Sequence, residues 1–168
     1  MTKLSMHAIS AGVFARMLNN LSSILANAEK QAKAKGQDPN ALLSAKLAPD
    51  MFHLTKQVQI ATDHAKGCVA RLAGQQIETI EDTETNLAEL QARIRRVLAI
   101  VESYTPEQFE GSETREITIK IPNMELKFSG LDYVNQWAIP NFYFHVVTAY
   151  DILRAEGIEL GKKDFLIG

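Results

Sequence analysis

Four stretches of this chain repeat apolar residues at three- and four-residue spacing, which restricts it to a fold built from long amphipathic helices. The first spans about 4 to 35, with Ile9, Val13, Met17, Leu21, Ile24 and Ala28 on one stripe. Lys30, Lys33 and Lys35 crowd its end, where cations suit the negative pole of the helix, and Gly36 stops it. Asp38 and Pro39 then open a short turn around Ala41 to Lys46. The second helix runs from an N-cap at Asp50 to Gly74, its stripe formed by Leu54, Val58, Ala61, Ala65, Val69 and Leu72. Asp82 or Thr83 caps the third, whose inward residues are Leu87, Leu90, Ile94, Val97, Leu98 and Val101. Arg93, Arg95 and Arg96 read as its solvated face, and Thr105, Pro106 and Gln108 spell a capping box for one more turn. The fourth starts at Pro140 and stops at Gly157, with Phe142, Val146, Ala149 and Leu153 inward.

The period changes to two between the third and fourth helices. Ile117, Ile119 and Ile121 alternate with Glu116, Thr118 and Lys120, and Met124, Leu126 and Phe128 alternate with Glu125, Lys127 and Ser129. A two-residue loop at Pro122-Asn123 pairs Ile121 with Met124, Ile119 with Leu126 and Ile117 with Phe128, all on one face. Pro122 cannot take the positive φ of a type I′ turn, which leaves a longer loop open. An isolated hairpin is marginal in water, so its apolar face is expected on the helices. The pattern predicts an all-α fold: an antiparallel four-helix bundle with a small β-hairpin inserted before the last long helix, in one domain over residues 1–168.

Composition excludes several classes. The chain has 168 residues, 46% hydrophobic and 23% charged, as in ordinary folded domains. Its 18 basic and 20 acidic residues leave a net charge of -2, against a nucleic-acid module that works by counterion release. One cysteine cannot form an internal disulfide. The opening MTKLSMHAIS has no continuous apolar core, and no apolar run approaches the roughly 20 residues of a membrane span, so a cytoplasmic protein is expected.

No phosphate loop, G-x-S-x-G, H-E-x-x-H or Cys-x-x-Cys is present. The chemistry-bearing residues are four histidines and a cysteine. On the second helix His53, Gln57, His64 and Cys68 fall on one side, and His64 and Cys68, four apart, share a face suited to a metal or a thiol–imidazole pair. A two-residue match is a weak motif, and a small buried Cys68 beside a half-exposed His64 is the favoured reading. His53 and His64 are eleven residues, roughly 16 Å, apart, too far to share one ion. On the last helix Asn141 and His145 border the buried stripe, where desolvation keeps His145 neutral, as a ligand or base requires. The competing role is a structural histidine donating to a carbonyl or tyrosine. Phe142, Tyr143, Phe144 and Tyr150 form either a pocket wall or core, and Trp137 a packing anchor. His7 is placed on a solvated or interface surface, while Phe165, Leu166 and Ile167 are free to dock on the bundle or a partner chain.

The run PNFYFHVVTAYDILRAEGIELGKKDFLIG, with APDMFHLTKQVQIATDHAKGCVARLAG from Ala48 to Gly74, resembles an uncharacterised bacterial family of the DinB/YfiT-like helical-bundle superfamily. The resemblance implies up-down-down-up connectivity and a homodimer packed through helices. It also implies a metal, such as zinc or nickel, held by one histidine of the second helix and two, four residues apart, of the last, in thiol-dependent transferases and isomerases. Only His145 matches here: the positions four away are Asn141 and Ala149, and helix two reads Gln57, Val58, Gln59 and Ile60. The ligand set is therefore incomplete, with His64 and His53 as the remaining candidates. Two functions follow. One is a small-molecule-binding or dimeric interaction module without the complete metal site, with a candidate pocket at Asn141, Phe144, His145 and Gln57. The other is a divergent metal- or thiol-dependent enzyme using His145 as catalytic residue or ligand.

Overall fold

The computed structural model describes residues 4–168; Met1–Lys3, part of the opening stretch read for an export signal, lie outside the described residues. The elements in chain order are α1 (Met6–Ile9), α2 (Ala11–Ala34), a 3-10 turn (Pro39–Ser44), α3 (Leu54–Leu72) and α4 (Leu87–Glu102). A second 3-10 turn (Pro106–Phe109), the strands β1 (Glu116–Ile121) and β2 (Met124–Ser129), and α5 (Gly130–Asp132) follow. A π-helical turn (Tyr133–Ala138) leads into α6 (Ile139–Ala155), and α7 (Lys162–Ile167) ends the chain. No described helix is long and apolar enough to cross a membrane.

The long helices pack pairwise around one core, α3 chiefly on α6 and α4, and α2 on α4 and α7. The apolar stripes explain this directly. Leu54, Val58, Ala61, Ala65, Val69 and Leu72 of α3 are all sealed from solvent, and Phe14 of α2 meets Phe142 of α6 edge to face at 4.9 Å. On α2 the buried line is centred on Phe14, Leu18, Leu21 and Leu25, so Val13 of the expected stripe is only half-buried.

Helix starts differ from expectation because other acceptors satisfy the N–H groups of the first turns. The first helix breaks at Ser10, whose hydroxyl donates to the Met6 carbonyl at 2.6 Å. The second begins at Leu54 rather than after Asp50, capped by His53, whose Nδ1 accepts the Lys56 N–H. The third is capped by Asn86, not Asp82 or Thr83: Asn86 Oδ1 accepts Glu89 N–H at 2.9 Å while Glu89 accepts Thr85 N–H. The last helix starts ten residues before Pro140, because α5 and the π turn run into α6 without a break.

Arg93 is not solvated. It is 3% exposed and pairs with Asp63 at 3.0 Å, Asp82 at 3.0 Å and Glu84 at 3.1 Å, while its Nε donates to Thr62 Oγ1 at 2.8 Å. A charge on a core-facing stripe is tolerable only when so fully paired. The pairs pin the irregular segment 75–85 across α3 and α4.

The hairpin has the expected register, Ile121 opposite Met124, Ile119 opposite Leu126 and Ile117 opposite Phe128. Its loop is two residues after all. Asn123 takes φ 64 after Pro122, the order of a type II turn, which spares the proline a positive φ. Only its base reaches the helices: Ile117 and Ile119 are buried, Ile121 and Met124 exposed. At the C-terminus, α7 docks on α2, with Asn20 Nδ2 donating to the Phe165 carbonyl at 2.9 Å and Phe165 edge-on to Tyr150; Leu166 and Ile167 stay exposed.

Candidate functional site

Antiparallel-reading stripes on α3 and α6 bring Gln57, His64 and His145 together. Gln57 is 1% exposed, and its amide is oriented by its surroundings. Its Nε2 lies 3.0 Å from the Phe52 carbonyl, which can only accept, so Oε1 must be the atom 2.7 Å from His145 Nδ1. His145 therefore carries its proton on Nδ1 and presents Nε2 with a free lone pair. Burial pushes its pKa below the ordinary value. His64 stacks on it, ring centroids 6.1 Å apart and 14° from parallel. Burial, then the neighbouring His145 and Arg71, lower the His64 pKa to about 4 against a small opposing pull from Asp63. Both imidazoles are neutral at pH 7.

The other candidates sit apart from this pair or serve it indirectly. His53 is exposed at the start of α3, its Nδ1 spent on the cap. Asn141, one turn before His145, donates to the Trp137 carbonyl at 2.7 Å. Phe144 meets His145 edge-on at 5.2 Å but is 60% exposed, an outer neighbour rather than an enclosing wall. Cys68 is fully buried, and desolvation holds its thiol well above the usual range, so His64 and Cys68 share a helix side without forming a thiolate–imidazole pair. His7, expected on a surface, is half-buried: Nε2 donates to the Tyr104 carbonyl at 3.1 Å and its ring packs on Phe109.

A cleft of about 520 Å³ lies elsewhere, between Leu4, Met6, Ile9, Phe109 and Leu131. Among the described residues no three His, Cys, Asp or Glu side chains are placed to hold one metal ion. The two imidazoles and an amide thus do not fit a three-ligand centre. Sequence reasoning missed Arg71, whose charge reaches His64, and its partner Tyr133. Arg71 Nη1 donates to the Tyr133 hydroxyl at 3.1 Å, with the guanidinium carbon 5.8 Å from the ring centroid. The available signal was Gly67 four residues before Arg71, a helical position without a side chain of its own.

Comparison with known proteins fits this architecture. A crystal structure of a DinB family member protein from Shewanella denitrificans is 42% identical, with a TM-score of 0.88 over 96% of this chain and 92% of that one. None of the curated proteins compared matches the chain. A family model described as a domain of unknown function, DUF1993, matches residues 6–166, nearly the whole chain. The chain belongs to that DUF1993 family and, by fold and identity, is DinB-like.

Proposed function

We propose that this protein is a DinB-like bundle in up-down-down-up order, one domain over residues 1–168, that binds a small molecule through His145 and lacks the superfamily's complete three-histidine metal site. The observation that carries the reading is the fixed Gln57 amide, which commits His145 Nδ1 as a donor and leaves Nε2 to accept an O–H or N–H from a ligand. At 1% exposure the glutamine is shielded from water, so both ends of its amide are committed to the His145 ring and the Phe52 carbonyl. In this reading the protein is cytoplasmic and a homodimer, neither nucleic acid nor membrane being a partner. Light scattering checks the assembly, and a monomer at micromolar concentration contradicts that part.

Nitrogen-detected NMR of the histidine rings tests the site. The expected result is a neutral Nδ1–H tautomer of His145 at pH 7, with an Nε2 resonance that moves on titration with small hydroxy compounds. The opposite tautomer, or an Nε2 that moves with none of them, overturns the reading.

A second reading, a divergent metal- or thiol-dependent transferase or isomerase, is favoured by one observation. His64 and His145 come from the second and last long helices and face each other as neutral rings. Elemental analysis of untagged protein decides it: stoichiometric zinc or nickel that disappears in His145→Ala supports the enzyme.

A further inference from the structure

Among the described residues the buried or half-buried cations have acidic partners except Arg71 and Arg115, and Arg71 is the one whose charge reaches His64. Arg93 has three carboxylates, Lys66 has Asp63 and Lys56 has Asp82. Arg71, half-buried on α3, has no carboxylate within ion-pair distance among the described residues. Among the described residues its single hydrogen bond uses Nη1, to a neutral phenol, and the Nε–Nη2 edge has no protein acceptor. That edge is the one that fits two oxygens of a carboxylate in parallel.

The guanidinium is held in place rather than waving. Tyr133, fully buried, fixes it by its hydroxyl and ring face, and burial holds that hydroxyl protonated. Gly67 leaves room for it: a Cβ at position 67 would lie 2.8 Å from Nη1. The charge is therefore level with Gly67, one turn or about 5 Å along the axis from His64. His64, in turn, stacks on His145. Arg71 beside two neutral imidazoles offers a ligand one charge there, which matches a singly charged anion better than a phosphate dianion.

We propose that Arg71 is the carboxylate-binding end of the site formed with His64 and His145. The ligand is then a small carboxylic acid whose O–H or N–H, a few bonds from the carboxylate, is received at His145 Nε2. This names the ligand class of the site above and rests on that reading.

Glycolate, acetate, glycolamide and inorganic phosphate, titrated separately into the full chain and followed by NMR at Arg71 Nε and His145 Nε2, test it. Glycolate is expected to move both signals. Glycolamide, which keeps the hydroxyl and loses the charge, is expected to bind at least tenfold more weakly, as is glycolate to Arg71→Met. Gly67→Ala provides a second variant, because the new methyl displaces the guanidinium while improving helix propensity. It should weaken glycolate similarly with the thermal midpoint retained.

Equal binding of glycolate and glycolamide, with His145 shifting, overturns the Arg71 assignment and leaves the His145 reading standing. Acetate and glycolate moving Arg71 alone supports the anion end and overturns His145 as acceptor. Phosphate binding in preference to glycolate overturns the carboxylate class, and silence of Arg71 to every probe overturns the subsite.

Discussion

Gln57 and His145 are joined across α3 and α6 by a 2.7 Å hydrogen bond whose direction is dictated by a third group, the Phe52 carbonyl. The bond holds the imidazole in one tautomer and one orientation. Gln57→Leu removes the acceptor and leaves the buried Nδ1–H unpaired, at a cost of about 1–3 kcal/mol. Gln57→Glu places a carboxylate against the ring and raises the His145 pKa. Histidine NMR titration and thermal unfolding of the two variants check both effects.

Stability should fall on mild acidification. The folded-state pKa of His64 is about 4 and that of His145 is also below its ordinary value. Between about pH 6.5 and 4 the unfolded chain therefore binds more protons than the folded one, and unfolding gains ground as pH drops. For His64 the loss approaches about 2–3 kcal/mol near pH 4. His64→Gln should flatten this part of the curve, measured by denaturant midpoints across the range.

Arg93→Met is expected to be among the most damaging single changes. It leaves Asp63, Asp82 and Glu84 facing one another beside a vacated charge, and removing one partner of a buried ionic cluster costs about 3–5 kcal/mol. Loss of the pairs also frees segment 75–85, which hydrogen exchange would show as faster exchange there than in α2.

Gly130→Ala tests a backbone approach. A Cβ there would sit 1.8 Å from the Ser112 carbonyl oxygen, against rigid backbone rather than a side-chain tip. The entry to the last helix must shift, and a destabilisation above about 2 kcal/mol is expected, read as a lower thermal midpoint.

Cys68 should be silent toward thiol reagents. The side chain is fully buried and its thiol is held above the usual range, so modification should occur only at the rate of unfolding. Rapid labelling of native protein would contradict the buried placement.

The sequence pattern was most informative where one physical rule dominated. The stripe from Leu54 to Leu72 specified the buried face of α3, and period two specified the hairpin register residue by residue. It was least informative where a local signal had a competing tertiary use. Asp82 reads as a helix cap, yet its carboxylate is taken by Arg93 and Lys56, and Asn86 caps instead. Arg93 reads as surface because charge is ordinarily solvated, and its carboxylate partners come from two other segments, α3 and the irregular stretch 75–85. At the site, Gln57, His64 and His145 stood out as polar residues at helical spacing. The bond between Gln57 and His145 was not, because it joins residues 88 apart in sequence.

The π turn at Tyr133–Ala138 sets which side chains of the last helix share a face. Tyr133 and His145 are twelve residues apart, and on an uninterrupted α-helix of about 100° per residue they would point some 120° away from each other. A π turn accommodates one extra residue, which takes out about 100° of that angle and leaves the two side chains within roughly 20°. Phase, rather than composition, is what lets one continuous helix offer a phenol and an imidazole to the same neighbour. Deleting a single residue from the turn would leave eleven residues at ordinary pitch and the same phase of about 20°, so Tyr133 would keep Arg71; forcing all twelve into regular α-helix would rotate it out of reach while His145 stayed beside Gln57.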